Sequence, residues 1–125
     1  MATKDLTYDT FNDTVESADI VFVDFWAAWC GPCRSFAPTY EKASAQHPDI
    51  VFGKVDTEAE QRLAAEFRIT SIPTLAVFRE GILVYAQPGA LPPAQLDLLI
   101  ERARELDMDD VRKQIAERET EAAAS

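Results

Sequence analysis

Residues 20–26, Ile-Val-Phe-Val-Asp-Phe-Trp, constrain the fold more than any other stretch of this chain. β-Branched and aromatic side chains at this density fit a pleated strand. Their near-unbroken apolarity means that both faces are covered, as happens in parallel sheets with helices packed above and below. One residue breaks the run: Asp24, a carboxylate placed where burial makes charge expensive. Strand alternation puts Phe22, Asp24 and Trp26 on one face.

The flanking sequence supplies the remaining layers. A short strand near Thr3–Leu6 precedes a helix over about Tyr8–Ser17, whose apolar positions Phe11, Val15 and Ala18 recur at helical spacing. Residues 27–30 read as a loop, and a helix follows from about Pro32 to Gln46, with Pro32 suited to its first turn and Pro38 inside it. Ile50–Asp56 is a second strong strand, and a helix is expected over about Glu58–Phe67. Thr74–Arg79 and Ile82–Gln87 read as a hairpin turning at Glu80-Gly81, and Pro92-Pro93 opens a last helix from Ala94 to about Leu106. The order β-α-β-α-β-α-β-β-α is that of an α/β sandwich, parallel first and antiparallel later.

The tail follows a different pattern. Leu99, Ala103 and Leu106 make one helical stripe, which in register runs onto Asp110 and Lys113 and so breaks near Asp107. Met108, Val111 and Ile115 start a shorter stripe, and Thr120–Ser125 reads as a disordered end. The expected organisation is one domain over 1–106 and an extension over 107–125, a short amphipathic helix followed by that end.

Charge narrows the range of partners. The formal net charge of −10 argues against nucleic acid or an anionic membrane surface, since both need a basic face. Solubility explains such a charge, and steering of a partner is the alternative. No stretch approaches the roughly 18 apolar residues of a membrane span. The first residues lack the apolar segment of a signal peptide, so a cytoplasmic protein is expected; a monomer is expected separately.

The chain has only two cysteines, Cys30 and Cys33. A disulfide across so short a loop removes little unfolded-state entropy and makes a poor staple, so the pair points to chemistry. Cys30 lies at the start of a helix, where unpaired N–H groups and the helix dipole favour an anion. A thiolate there is the natural nucleophile, so Cys30 is expected to be the exposed attacker and Cys33, one turn on, the inward-facing thiol. Two other readings stand beside this one. A zinc half-site lacks ligands beyond His47 at the far end of the same helix, and an inert buried pair would do no chemistry. Asp24 likewise has two readings: a structural carboxylate capping a loop, or a buried base of raised pKa that takes a proton from Cys33.

The run Trp26-Ala-Ala-Trp29-Cys30-Gly31-Pro32-Cys33 resembles the thioredoxin active-site signature. Asp24 two residues upstream, Pro38 in the following helix, Ile72-Pro73-Thr74 and Gly89-Ala90 match the family in order and spacing across residues 3–106. Ala28, where an acidic residue is common, and Arg34, where lysine is usual, depart from it. The resemblance implies a thioredoxin fold, a mixed five-stranded sheet flanked by about four helices; the C-terminal helical extension beyond about Leu106 exceeds the usual family length and lies outside the resemblance. It implies protein-disulfide reduction, with Lys54 near the Asp24 carboxylate and a cis Ile72–Pro73 bond. It also implies a substrate-binding apron of Trp29, Gly31, Pro32, Ile72, Pro73, Gly89 and Ala90. Gly31-Pro32 resembles the reducing members. Thioredoxin reductase drawing on NADPH and disulfide-containing proteins are the implied partners; no bound cofactor or metal is implied beyond the redox-active cysteines. A different class of function remains open, in which the fold serves as an interaction module and redox chemistry is incidental.

Overall fold

A computed structural model describes residues 2–124. Five strands form one sheet in the order β1-β3-β2-β4-β5, with β1 (Thr3–Asp5), β2 (Ile20–Trp26), β3 (Val51–Asp56), β4 (Thr74–Arg79) and β5 (Ile82–Pro88). β1, β3 and β2 run parallel, while β4 and β5 are antiparallel to their neighbours. This is the thioredoxin fold expected from the sequence. Five helices accompany the sheet: α1 (Tyr8–Glu16), α2 (Gly31–Gln46), α3 (Gln61–Glu66), α4 (Pro93–Glu105) and α5 (Met108–Ala124).

β2 is central and buried along nearly its whole length, and its alternation divides the core in two. Phe22 packs with Phe36 and Tyr40 of α2, Phe52 of β3 and Leu96 and Ile100 of α4. Val21, Val23 and Phe25 face the other way, against Phe11 and Val15 of α1 and Leu63 of α3. Asp24 therefore lies on the α2 side, beside the helix that begins at the cysteines. In parallel register it stands opposite Lys54.

Several local details depart from the sequence expectation. α2 begins at Gly31 because Cys30 itself is the N-cap, in an extended conformation. α3 starts later than Glu58, since the Asp56 carboxylate accepts hydrogen bonds from the backbone N–H groups of Glu58 and Ala59 and holds them in a turn. The hairpin turn at Glu80-Gly81 has both residues at positive φ, the geometry that matches the twist of the flanking strands.

The expected disordered end is corrected: α5 continues through Thr120 to Ala124, with Ser125 outside the described residues. Thr120 bonds the Ala116 carbonyl one turn back, and Ala122–Ala124 have the highest intrinsic helix propensity. The break before α5 falls where the stripe predicts it. Leu106 turns extended, and the Asp107 carboxylate accepts from the Asp110 N–H at 3.2 Å, capping the new helix.

A buried arginine closes the pole of the sheet where β2 begins. Arg79 bonds the carbonyls of Ala103 and Leu106 at the end of α4, and its Nε lies 3.1 Å from Asp19 Oδ1. The C-terminal carbonyls of a helix lack intrahelical partners, and a guanidinium is well suited to meet them.

Candidate active site

The site sits where β2 ends and α2 begins. Cys30 and Cys33 are joined by a disulfide with their Cα atoms 5.2 Å apart. Cys30 Sγ accepts the Cys33 backbone N–H at 3.2 Å and lies 3.7 Å from the Ile72 carbonyl oxygen. A sulfur at the N-cap thus receives one of the orphan helix N–H groups, an interaction that strengthens when the sulfur carries negative charge. Arg34 donates to the Ala28 carbonyl at 2.9 Å and ties the loop before the cysteines to the first turn of α2.

The expected exposure of Cys30 is corrected. In the disulfide form Cys30 is 4% exposed and Cys33 2%, and the pair packs with Ala27, Trp26 and Ile72. The surrounding rim is open. Trp29 is 67% exposed, with its indole Nε1 donating to Glu58 at 2.6 Å. Gly31, Pro32, Gly89 and Ala90 are exposed, and Ile72 is half-buried. Pro73 is buried, so it supports the rim from below rather than forming surface; its carbonyl accepts the Gly89 N–H at 2.8 Å, and the Ile72–Pro73 bond is cis.

On the α2 side of β2 lies a buried carboxylate without hydrogen-bond partners. Asp24 is 1% exposed, and neither of its oxygens, nor the indole N–H of Trp26 two residues on, finds a hydrogen-bond partner in the structure. Burial raises the Asp24 pKa from 3.8 to about 7, against the opposing pull of Lys54. Lys54 makes no ion pair with it; the ammonium sits 4.6 Å from the centroid of the Trp26 ring. Lys54 is therefore neither a freely snorkelling surface lysine nor a bonded counter-ion. Its charge acts on Asp24 through space.

Sequence reasoning passed over two residues. Tyr40 is fully buried, donates to the Gly53 carbonyl at 2.8 Å, and has a raised pKa caused first by burial and then by the Asp24 charge. The signal was available: Cys33, Phe36 and Tyr40 share one face of α2 at helical spacing. Glu58, the partner of Trp29, gave no signal, because it lies in a turn whose contacts are long-range. Among the described residues no group of three or more His, Cys, Asp or Glu side chains could hold a metal ion.

The thioredoxin family profile matches residues 2–102. A putative thioredoxin 2 of Streptomyces coelicolor is 55% identical over 121 residues, covering 97% of this chain and 90% of the relative. Thioredoxin 1 of Nostoc is 39% identical over 103 residues, covering 81% and 96% respectively. A solved structure of Plasmodium falciparum thioredoxin superposes with a TM-score of 0.75 at 37% identity, covering 80% of this chain and 98% of that one. With a redox disulfide at a helix N-terminus on this fold, the chain belongs to the thioredoxin family, and its Cys30–Cys33 couple serves dithiol–disulfide exchange.

Proposed function

We propose that the protein reduces disulfides in other proteins, with Cys30 as nucleophile and Cys33 as resolving thiol. In the reduced protein the Cys30 thiolate attacks one sulfur of a substrate disulfide, forming a mixed disulfide and releasing the other sulfur as thiolate. Cys33 loses its proton to Asp24 and attacks Cys30 Sγ; the substrate leaves with both sulfurs reduced, and Cys30–Cys33 is oxidised. The observation that carries this reading is the placement of Cys30 as N-cap with its sulfur accepting the Cys33 N–H. That arrangement favours the thiolate at Cys30, both as nucleophile and as the sulfur Cys33 displaces substrate from.

Asp24 suits the proton transfer because a base works best with a pKa near the working pH, and burial has brought it to about 7. Lys54 limits how far that pKa climbs. The exposed rim of Trp29, Gly31, Pro32, Gly89 and Ala90, with the Ile72 backbone, offers a substrate-docking surface with little side-chain selectivity. Pro73 holds that backbone in place. The cycle needs an external electron source, and we assign it to thioredoxin reductase and NADPH in the cytoplasm, acting on a monomer. Among the described residues no helix is long and apolar enough to cross a membrane.

The test is a coupled assay. The protein, a bacterial thioredoxin reductase, NADPH and insulin are mixed, and NADPH consumption is followed together with insulin precipitation. Both should proceed at catalytic protein concentrations. A reductase-independent chain that leaves insulin intact would favour the interaction-module reading.

A further inference from the structure

The two edges of the sheet are protected unequally. β1 is three residues long and carries Lys4 and Asp5, so shortness and charge both blunt it as a template for strand pairing. β5 is seven residues long, has no charged side chain, and places its proline last. A bulge at Val84 interrupts its ladder to β4. It otherwise lacks the devices that keep an apolar edge from pairing with another chain.

The first turns of α5 share a groove with the start of this edge. One groove is lined by Ile82, Leu83 and Val84 together with Val111, Ile115 and Arg118. Ile82 and Leu83 point to opposite faces of the sheet, so a groove that both line follows the strand's outer edge. Two contacts fix the helix there. Met108 is buried, and Arg112 bridges Glu80 in the β4–β5 turn at 2.6 Å and Asp109 at 2.7 Å. Val111 and Ile115 are half-buried, whereas residues 116–123 are exposed. The docked part of α5 is therefore its first two turns, the turns that face β5.

We infer that α5 is an edge guard: residues 108–115 occupy the outer edge of β5 and exclude a second copy of this chain, which would otherwise pair β5 against β5. Beyond this groove the edge runs on through Tyr85–Pro88 and ends in a proline, and Leu83 itself stays 45% exposed. This role is independent of the redox reading, because the groove lies beside the hairpin turn, away from Cys30.

The test uses the full chain with Val111→Asp and Ile115→Asp together, and separately Arg112→Glu, which breaks the bridges to Glu80 and Asp109 at an exposed position. Hydrogen exchange of the Ile82–Val84 amides should rise roughly tenfold in the double variant and less in Arg112→Glu. Sedimentation should show the wild type as monomer and the double variant self-associating as protein concentration rises. Adding Leu83→Lys to the double variant should restore the monomer. Insulin reduction per chain, measured where all variants are monomeric, should be unchanged. Unaltered β5 exchange in both variants would show that α5 does not cover the edge. Faster exchange without self-association, or association that Leu83→Lys leaves intact, would show that the edge needs no guard.

Discussion

Cys30→Ser is expected to abolish protein-disulfide reduction, lowering turnover at least about a thousandfold, because the one remaining thiol, Cys33, is buried and lacks the N-cap position that favours a thiolate. Cys33→Ser should also stop turnover, but at a later step. Its Cys30 thiolate still attacks, and without a resolving thiol the substrate stays attached. Incubated with disulfide-bonded substrates and resolved on non-reducing gels, Cys33→Ser should accumulate mixed disulfides through Cys30, while Cys30→Ser should accumulate almost none. Both substitutions leave the backbone N–H pattern at the start of α2 in place. Equal accumulation by the two variants would reverse or dissolve the division of labour between the cysteines.

Asp24→Asn is expected to make the oxidised protein more stable and its mixed disulfides slower to resolve. The Asp24 pKa is about 7 in the folded chain against 3.8 for the free group, so the native state holds this proton more tightly than the unfolded state. The stabilisation from the protonated form is complete below about pH 4 and is lost as pH rises through about 7. Near pH 8 the wild type carries an ionised carboxylate whose oxygens have no hydrogen-bond partner in the structure, relieved only by the charge of Lys54. Asparagine carries no such charge. The gain in stability should be on the order of 3 kcal/mol near pH 8, or roughly 10 °C in melting temperature, and should fade as pH approaches 4. Resolution by Cys33 should slow most near neutral pH, where an unaided thiol seldom ionises, while attack by Cys30 changes much less. Thermal melting at both pH values, with single-turnover kinetics at neutral pH, checks both halves. A destabilised variant with unchanged resolution would make Asp24 an ordinary structural carboxylate.

The parts of the fold legible in the sequence are those governed by local pattern. β2 and β4 have the boundaries that their apolar runs predict, Ile20–Trp26 and Thr74–Arg79. The Glu80-Gly81 turn and the break at Asp107 follow from turn and capping chemistry that short segments carry by themselves. At the site, the two cysteines at a strand-to-helix junction and the misplaced carboxylate of Asp24 were both visible as departures from what packing alone would select.

What escaped was set by distant partners. Arg79 reads as the polar end of a strand, yet it reaches back to Asp19 and forward to Ala103. Tyr40 reads as core, and its role in binding Gly53 depends on the spacing of α2 over β3. The burial of Cys30 depends on its packing with Ala27, Trp26 and Ile72, and that of Pro73 on where the loop before β4 folds down. The helical end of the chain was misread because alanine-rich and charged residues look alike in a disordered tail and a solvated helix.

The most direct test of the account is selective alkylation of the reduced protein across pH, with the modified cysteine located by mass spectrometry. A Cys30 sulfur held at the N-cap of α2 should ionise well below the ordinary thiol value of about 8.5, and the buried Cys33, which lacks that position, should ionise at or above it. Iodoacetamide near neutral pH should therefore label Cys30 almost exclusively, with Cys33 joining only as the solution becomes alkaline. Labelling of Cys33 first, or of both cysteines with one shared pH midpoint, would contradict the claim that the helix start makes Cys30 the nucleophile.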